Sequence, residues 1–273
     1  MKIVSNAMIS GANTYKELLF TRTVFLPFLI GLLFSSCNKT EDEAMAKRVY
    51  TTSFETADDF AGFYFTPQNY LNTSFHELND SIVRSGNFSH KAWIHGANQP
   101  STYSQNNNHR AYPTIQLYKT AKGSFNTPCY ITFWVWLDMD LHANAVGEND
   151  WFSLATFTDD ETDNWNRTVL VNLSYDGCVH LMHVPDQGQQ EHIFQTSADK
   201  FPQKEWVEIK LFLDFSSNGY SKVWQNGTMV SHANIRGLSN RLSQAHFGLY
   251  CSPQINSGLV YNDDLRIEEV DKE

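Results

Sequence analysis

Hydrophobic and polar positions alternate without a break over residues 130–138. Ile131, Phe133, Val135 and Leu137 share one parity; Tyr130, Thr132, Trp134, Trp136 and Asp138 share the other. A strand sends successive side chains to opposite faces, so this period of two predicts a strand with one wholly apolar face. The other face carries two tryptophans and a tyrosine among polar groups. Large amphipathic rings outside the core suit a flat surface that stacks on a ligand. The strand is expected mid-sheet, with its aromatic parity on a ligand-facing, concave side.

Similar runs follow at 49–55, 114–118, 151–157, 168–173, 179–184, 206–214, 246–251 and 259–267, and another after the turn signal Ser85–Gly86–Asn87. Asp176–Gly177 and Asn226–Gly227 each lie between apolar runs and predict hairpins. Residues 96–110 and 142–150 are polar and aperiodic and read as long loops. No amphipathic helix is evident after residue 48. Many short strands with a turn signal every ten or so residues predict an all-β, two-sheet antiparallel sandwich.

The first segment stands apart from this pattern. Lys2, Lys16 and Arg22 precede an apolar run at 24–34, too short to cross a bilayer of about 30 Å as a helix. Leu33–Phe34–Ser35–Ser36–Cys37 resembles the lipobox of bacterial lipoproteins, with Phe34 where leucine is usual. The resemblance implies a signal peptide over 1–36 (translation starting at Met1 or Met8), a lipidated, palmitate-bearing Cys37 and an extracytoplasmic protein held on the outer membrane. Residues 37–48 form an acidic tether, similar to signals that send some Bacteroidetes lipoproteins to the cell surface. Residues 49–270 are then one domain.

The whole chain of 273 residues carries 20 basic and 30 acidic side chains. Losing 1–36 removes three bases and Glu17, which makes the remainder more acidic. Such a surface repels nucleic acid. Cys129, Cys178 and Cys251 lie in apolar runs without C-x-x-C spacing, which favours small buried hydrophobes over a zinc or redox site.

Three late pieces resemble the concanavalin A-like lectin/glucanase superfamily, nearest its polysaccharide lyase-like and laminin-G-like jelly rolls. They are Trp206–Val207–Glu208–Ile209–Lys210, Val223–Trp224–Gln225–Asn226–Gly227, and His246–Phe247–Gly248–Leu249–Tyr250 with Tyr261–Asn262–Asp263–Asp264–Leu265. The resemblance implies a jelly-roll fold and a polysaccharide partner. It also implies a structural Ca²⁺ held by Glu55, the Gly86 carbonyl and Asp264, because first and last strands are neighbours in related sandwiches and calcium wants six to eight oxygens.

Two kinds of chemistry fit such a fold. A retaining glucanase carries Glu-x-Asp-x-Glu or Glu-x-Asp-x-x-Glu on one strand, and the chain has neither. A uronate lyase needs a Tyr or His base and a cation or amide to neutralise the carboxylate beside the proton removed. His180, Tyr250 and Arg167 are the catalytic candidates; His109–Arg110 and His183 also supply suitable groups. His180 and His183 fall on opposite faces of one strand, so at most one reaches a cleft. Plain glycan binding needs less: Trp134, Trp136, Tyr130 and Trp151 would stack on sugar rings. A surface or adhesion protein without a sugar ligand is the third reading.

Overall fold

The computed structural model describes residues 48–271 except 57–62, 66–72, 97–107, 120–122, 140–150, 163, 186–190, 194–198 and 238. The expected signal peptide, Cys37 and the tether up to residue 47 lie outside the described residues, as does most of both polar loops.

The described strands, in chain order, are β1 (Val49–Thr52), β2 (Phe63–Phe65), β3 (Ser74–Asn79), β4 (Ser89–His95), β5 (His109–Ala111), β6 (Pro113–Gln116), β7 (Phe125–Asn126), β8 (Cys129–Asp138) and β9 (Trp151–Thr158). They continue as β10 (Thr168–Ser174), β11 (Val179–Val184), β12 (Glu191–Ile193), β13 (Trp206–Leu213), β14 (Tyr220–Gln225), β15 (Thr228–Asn234), β16 (Arg241–Leu242), β17 (Gln244–Cys251) and β18 (Ser257–Glu269). A short 3-10 turn covers Leu117–Lys119.

Two antiparallel sheets stack into a sandwich. The first runs β15-β14-β13-β8-β18-β4-β3, with β1 also on β18; the second runs β12-β11-β10-β9-β17-β6-β2, with β5 also on β17. The small β16–β7 ribbon is separate. The alternating strand β8 does sit mid-sheet, between β13 and β18. Its parity of Ile131, Phe133, Val135 and Leu137 is buried to within 1%. On β13, Val207, Ile209, Leu211 and Leu213 do the same. Burying each such side chain contributes about 1.5–3 kcal/mol. Phe247 of the second sheet ties the layers together, with its ring 5.2 Å from Phe133 and 5.7 Å from Phe157.

The turns follow their residues. Asn226 and Gly227 have φ of 47° and 79°, the two positive values a type I′ hairpin needs. After Asp176–Gly177, the Gly177 N–H closes the loop on Ser174 O at 2.8 Å. The three cysteines are buried thiols. His183 is a core group: it is fully buried, its Nδ1 lies 3.0 Å from Thr168 O and its Nε2 accepts the Arg236 N–H at 2.9 Å.

The short edge strands β2, β3 and β12 lie outside the strands read from the sequence, and β5 falls inside the predicted loop at 96–110. Three residues are too few for a period of two to stand out. On β3, Phe75 is exposed and only Ser74 is buried.

Candidate functional site

The outward side chains of the second sheet form rows set by strand register. On β10, Val169, Val171 and Leu173 enter the core, so Thr168, Leu170 and Asn172 face out. One row reads His180 (β11), Asn172 (β10), Ser153 (β9), Tyr250 (β17), Arg110 (β5). The next reads Met182, Leu170, Thr156, His246, Thr114. Directly opposed residues of an antiparallel pair share a face, which makes this a polar strip across the sheet.

Tyr250 and His246 come together through a bulge. Between Phe247 and Tyr250, β17 slips register against β9. Gly248 takes φ +109° there, and a Cβ on it would stand 3.0 Å from His90 Cε1 and 3.1 Å from Ala111 O. Only glycine fits that backbone against its neighbours. The His246 and Tyr250 rings meet edge-on at 5.6 Å. Tyr112 stacks on His246 at 4.0 Å, and Trp165 leans on it at 5.0 Å. Trp151 meets Tyr250 edge-on at 4.9 Å. The Arg110 guanidinium lies 5.4 Å from the Tyr250 ring centre.

The electrostatics keep the imidazole of this cluster uncharged. Burial, reinforced by the positive charge of Arg110, lowers the His246 pKa to about 3, so its imidazole is neutral at ordinary pH. The Asn108 amide donates to the Tyr250 oxygen at 3.2 Å, leaving the phenol's own hydrogen for another partner. Asn172, 2% exposed, keeps a buried amide oxygen with no hydrogen-bond partner among the described residues. A buried amide in that condition costs about 1–3 kcal/mol unless a ligand satisfies it.

The loop after β9 carries Trp165 to this place. Buried Asp159 takes the Arg167 Nε–H at 2.8 Å, and Asp160 accepts the N–H groups of Thr162 at 2.9 Å and Asn166 at 2.8 Å. Asp159 and Asp160 therefore brace this loop. Arg167 is tied to that brace through Asp159.

Of the residues expected from sequence, the structure brings Tyr250 and Trp151 together. His180 lies in the row of Tyr250 but stands three strands from it, about 14 Å by strand spacing. Tyr130, Trp134 and Trp136 do not join them. They point outward from the first sheet, whereas Trp151 belongs to the second, because β8 and β9 lie in different layers. There the Arg84 guanidinium lies 3.7 Å from the Trp134 ring centre, and Tyr261 meets Trp136 edge-on at 5.6 Å.

The residues named for calcium do meet, around the turn at 84–87. Glu55 accepts the Asn87 N–H at 2.8 Å, packed where a Cβ on Gly86 would stand. Asp264 takes the Ser85 hydroxyl at 2.7 Å and pairs with Arg84. Asp263 accepts three backbone N–H groups, yet burial pushes its pKa up to about 6.

His246, Asn172, Asn108, Tyr112 and Trp165 were missed as site residues. His246 had a signal: the quoted run His246–Phe247–Gly248–Leu249–Tyr250 puts positions 246 and 250 on one parity. Asn172 and Asn108 had none, because only cross-strand register brings them in.

No protein-family model matches the chain, and no curated protein sequence does. Solved structures are similar to it. One is an endo-β-1,4-glucuronan lyase from the fungus Trichoderma reesei, at 12% identity and TM-score 0.58 over 82% of this chain and 96% of that one. The cellulose-induced protein Cip1 gives 14% and 0.54 over 80% and 96%. The alginate lyase Aly36B gives 10% and 0.50 over 82% and 98%. The polar strip with Tyr250 and His246 thus lies on the sheet of a concanavalin A-like jelly roll, the fold this chain shares with polysaccharide lyases.

Proposed function

We propose that the chain is a polysaccharide lyase that cleaves a uronate-bearing glycan by β-elimination on the outer face of the second sheet. The observation that carries this reading is the neutral imidazole of His246 beside the phenol of Tyr250, with Arg110 at their edge. Arg110 neutralises the sugar carboxylate, which makes the adjacent carbon acidic, and the unpaired Asn172 amide oxygen can accept from a hydroxyl of a neighbouring sugar. His246 accepts the proton from that carbon. As the glycosidic C–O bond breaks, the Tyr250 hydroxyl gives its proton to the departing oxygen. Trp151 and Trp165 offer rings for neighbouring sugars. The lyases of similar fold support the substrate class.

The test is incubation with polymers of glucuronate, mannuronate and guluronate, following ultraviolet absorbance of the unsaturated product. No absorbance with any of them, alongside binding to a glycan array, would leave a binding protein.

Calcium at Glu55, Gly86 and Asp264 is a second proposal. Glu55 and Asp264 both reach the turn at 84–87, but Asp264 is paired with Arg84, and among the described residues no group of three acidic or histidine side chains is spaced to hold a metal, so a bound ion would have to draw on backbone carbonyls such as that of Gly86. Chelator should lower the melting temperature and calcium restore it; an unchanged midpoint removes the site.

A further inference from the structure

We infer that the outer face of the first sheet holds a second binding site, for a carboxylate-bearing polysaccharide, centred on Lys210 and Lys222. That face carries Trp93, Trp134, Trp136, Trp206 and Trp224, five of the chain's seven tryptophans. All are half-buried, on the parity opposite the core. A solvent-facing sheet has no packing reason to collect such rings.

The centre is the β8–β13–β14 segment. Register sets Phe212 between Tyr130 and Lys222, and Lys210 between Thr132 and Trp224. Lys210 Nζ lies 4.3 Å from the Tyr130 ring centre and 6.0 Å from that of Trp224. Lys222 Nζ lies 5.8 Å from Phe212 and 5.6 Å from Tyr220. The Tyr130 ring meets Phe212 at 5.4 Å and Trp224 at 6.4 Å, so the rings form one platform.

Among the described residues neither lysine makes an ion pair, whereas Lys91, Lys204, Arg84 and Arg266 each have a carboxylate partner. Glu268, opposite Tyr130, is paired with Arg266 at 2.9 Å; Glu208 is the acid nearest along β13. Two cations resting on aromatic rings, in a chain of net charge −10, are a local reversal of sign. Rings that take the apolar face of a sugar, beside ammonium groups that take its carboxylates, fit an acidic polysaccharide chain. The choice of a uronate polymer rests on the lyase reading above.

The test is electrophoresis of the Tyr250→Phe protein, which should leave the polymer uncut, through native gels containing polyglucuronate, alginate or a neutral glucan. Adding Lys210→Gln and Lys222→Gln should weaken retardation by the acidic polymers about tenfold, and leave mobility in the neutral gel unchanged when each protein is compared with its own polymer-free run. Retardation equal to the parent's overturns the inference. So does a dimer by sedimentation without polymer that the lysine changes dissociate, since the face then belongs to a second copy. Cleavage by the unmodified chain is scored separately: activity with no effect of the lysine changes sinks this site alone, and retardation that depends on them without any cleavage sinks the lyase alone.

Discussion

Tyr250→Phe is expected to cut the rate of unsaturated product formation by about 10²–10⁴-fold, the span of a lost general acid or base. The change removes one hydroxyl and keeps the ring that packs against Trp151, Tyr112 and His246. Among the described residues its hydroxyl has one partner, the Asn108 amide, so melting should shift by no more than a few degrees. Substrate affinity should hold, because Arg110 is untouched. The loss therefore belongs in kcat, with KM nearly constant. Arg110→Ala should do the reverse in part, raising KM as well, because the ground-state carboxylate already meets the guanidinium. If Tyr250→Phe retains more than a tenth of the activity of an active parent, the proton route through this phenol is wrong. His246 would then have to serve alone.

The fold was legible wherever a strand has two sheet neighbours. Strands such as β8 and β13 bury one parity completely and expose the other, so hydrophobicity alternates and the period is visible. The same pattern is silent about which sheet carries the chemistry. The aromatic parity of β8 shows only that those rings avoid the core; it cannot say which of two sheets binds substrate. Trp134 and Trp151 are close in sequence, yet the chain crosses from one layer to the other between them. Tyr250 was found because it lies in a quoted motif. His246, four residues earlier, is brought beside it by a bulge at Gly248, a backbone event with a one-residue signature. Asn172 joins through register across β9, which no local pattern records.

The buried imidazoles predict acid lability. His246 is lowered to about 3 and His109 to about 4, and His90 falls well below 6.5, all chiefly through burial. Each is neutral when folded and takes a proton when unfolded once the pH drops under about 6.5. Their stabilisation is complete above that pH and is lost as pH falls toward the folded values. Asp263 runs the other way: with its folded pKa near 6, it gains a proton in the folded state first and offsets part of one histidine. The net slope is about 2–4 kcal/mol per pH unit between pH 6 and 4, large against a typical stability of about 5–15 kcal/mol. The melting temperature should thus fall by more than about 10 °C from pH 7 to pH 4.5. Activity should disappear over the same range because the fold that presents Tyr250 is lost, His90 behind Gly248 taking its proton only on unfolding. His109, whose Nε2 lies 2.8 Å from Ile255 O, supplies the control: His109→Gln should make the slope shallower by about one proton's worth, ~1.4 kcal/mol per pH unit. A melting temperature that stays level from pH 7 to 4.5 would mean these imidazoles reach water, and the neutral base assigned to His246 would go with them.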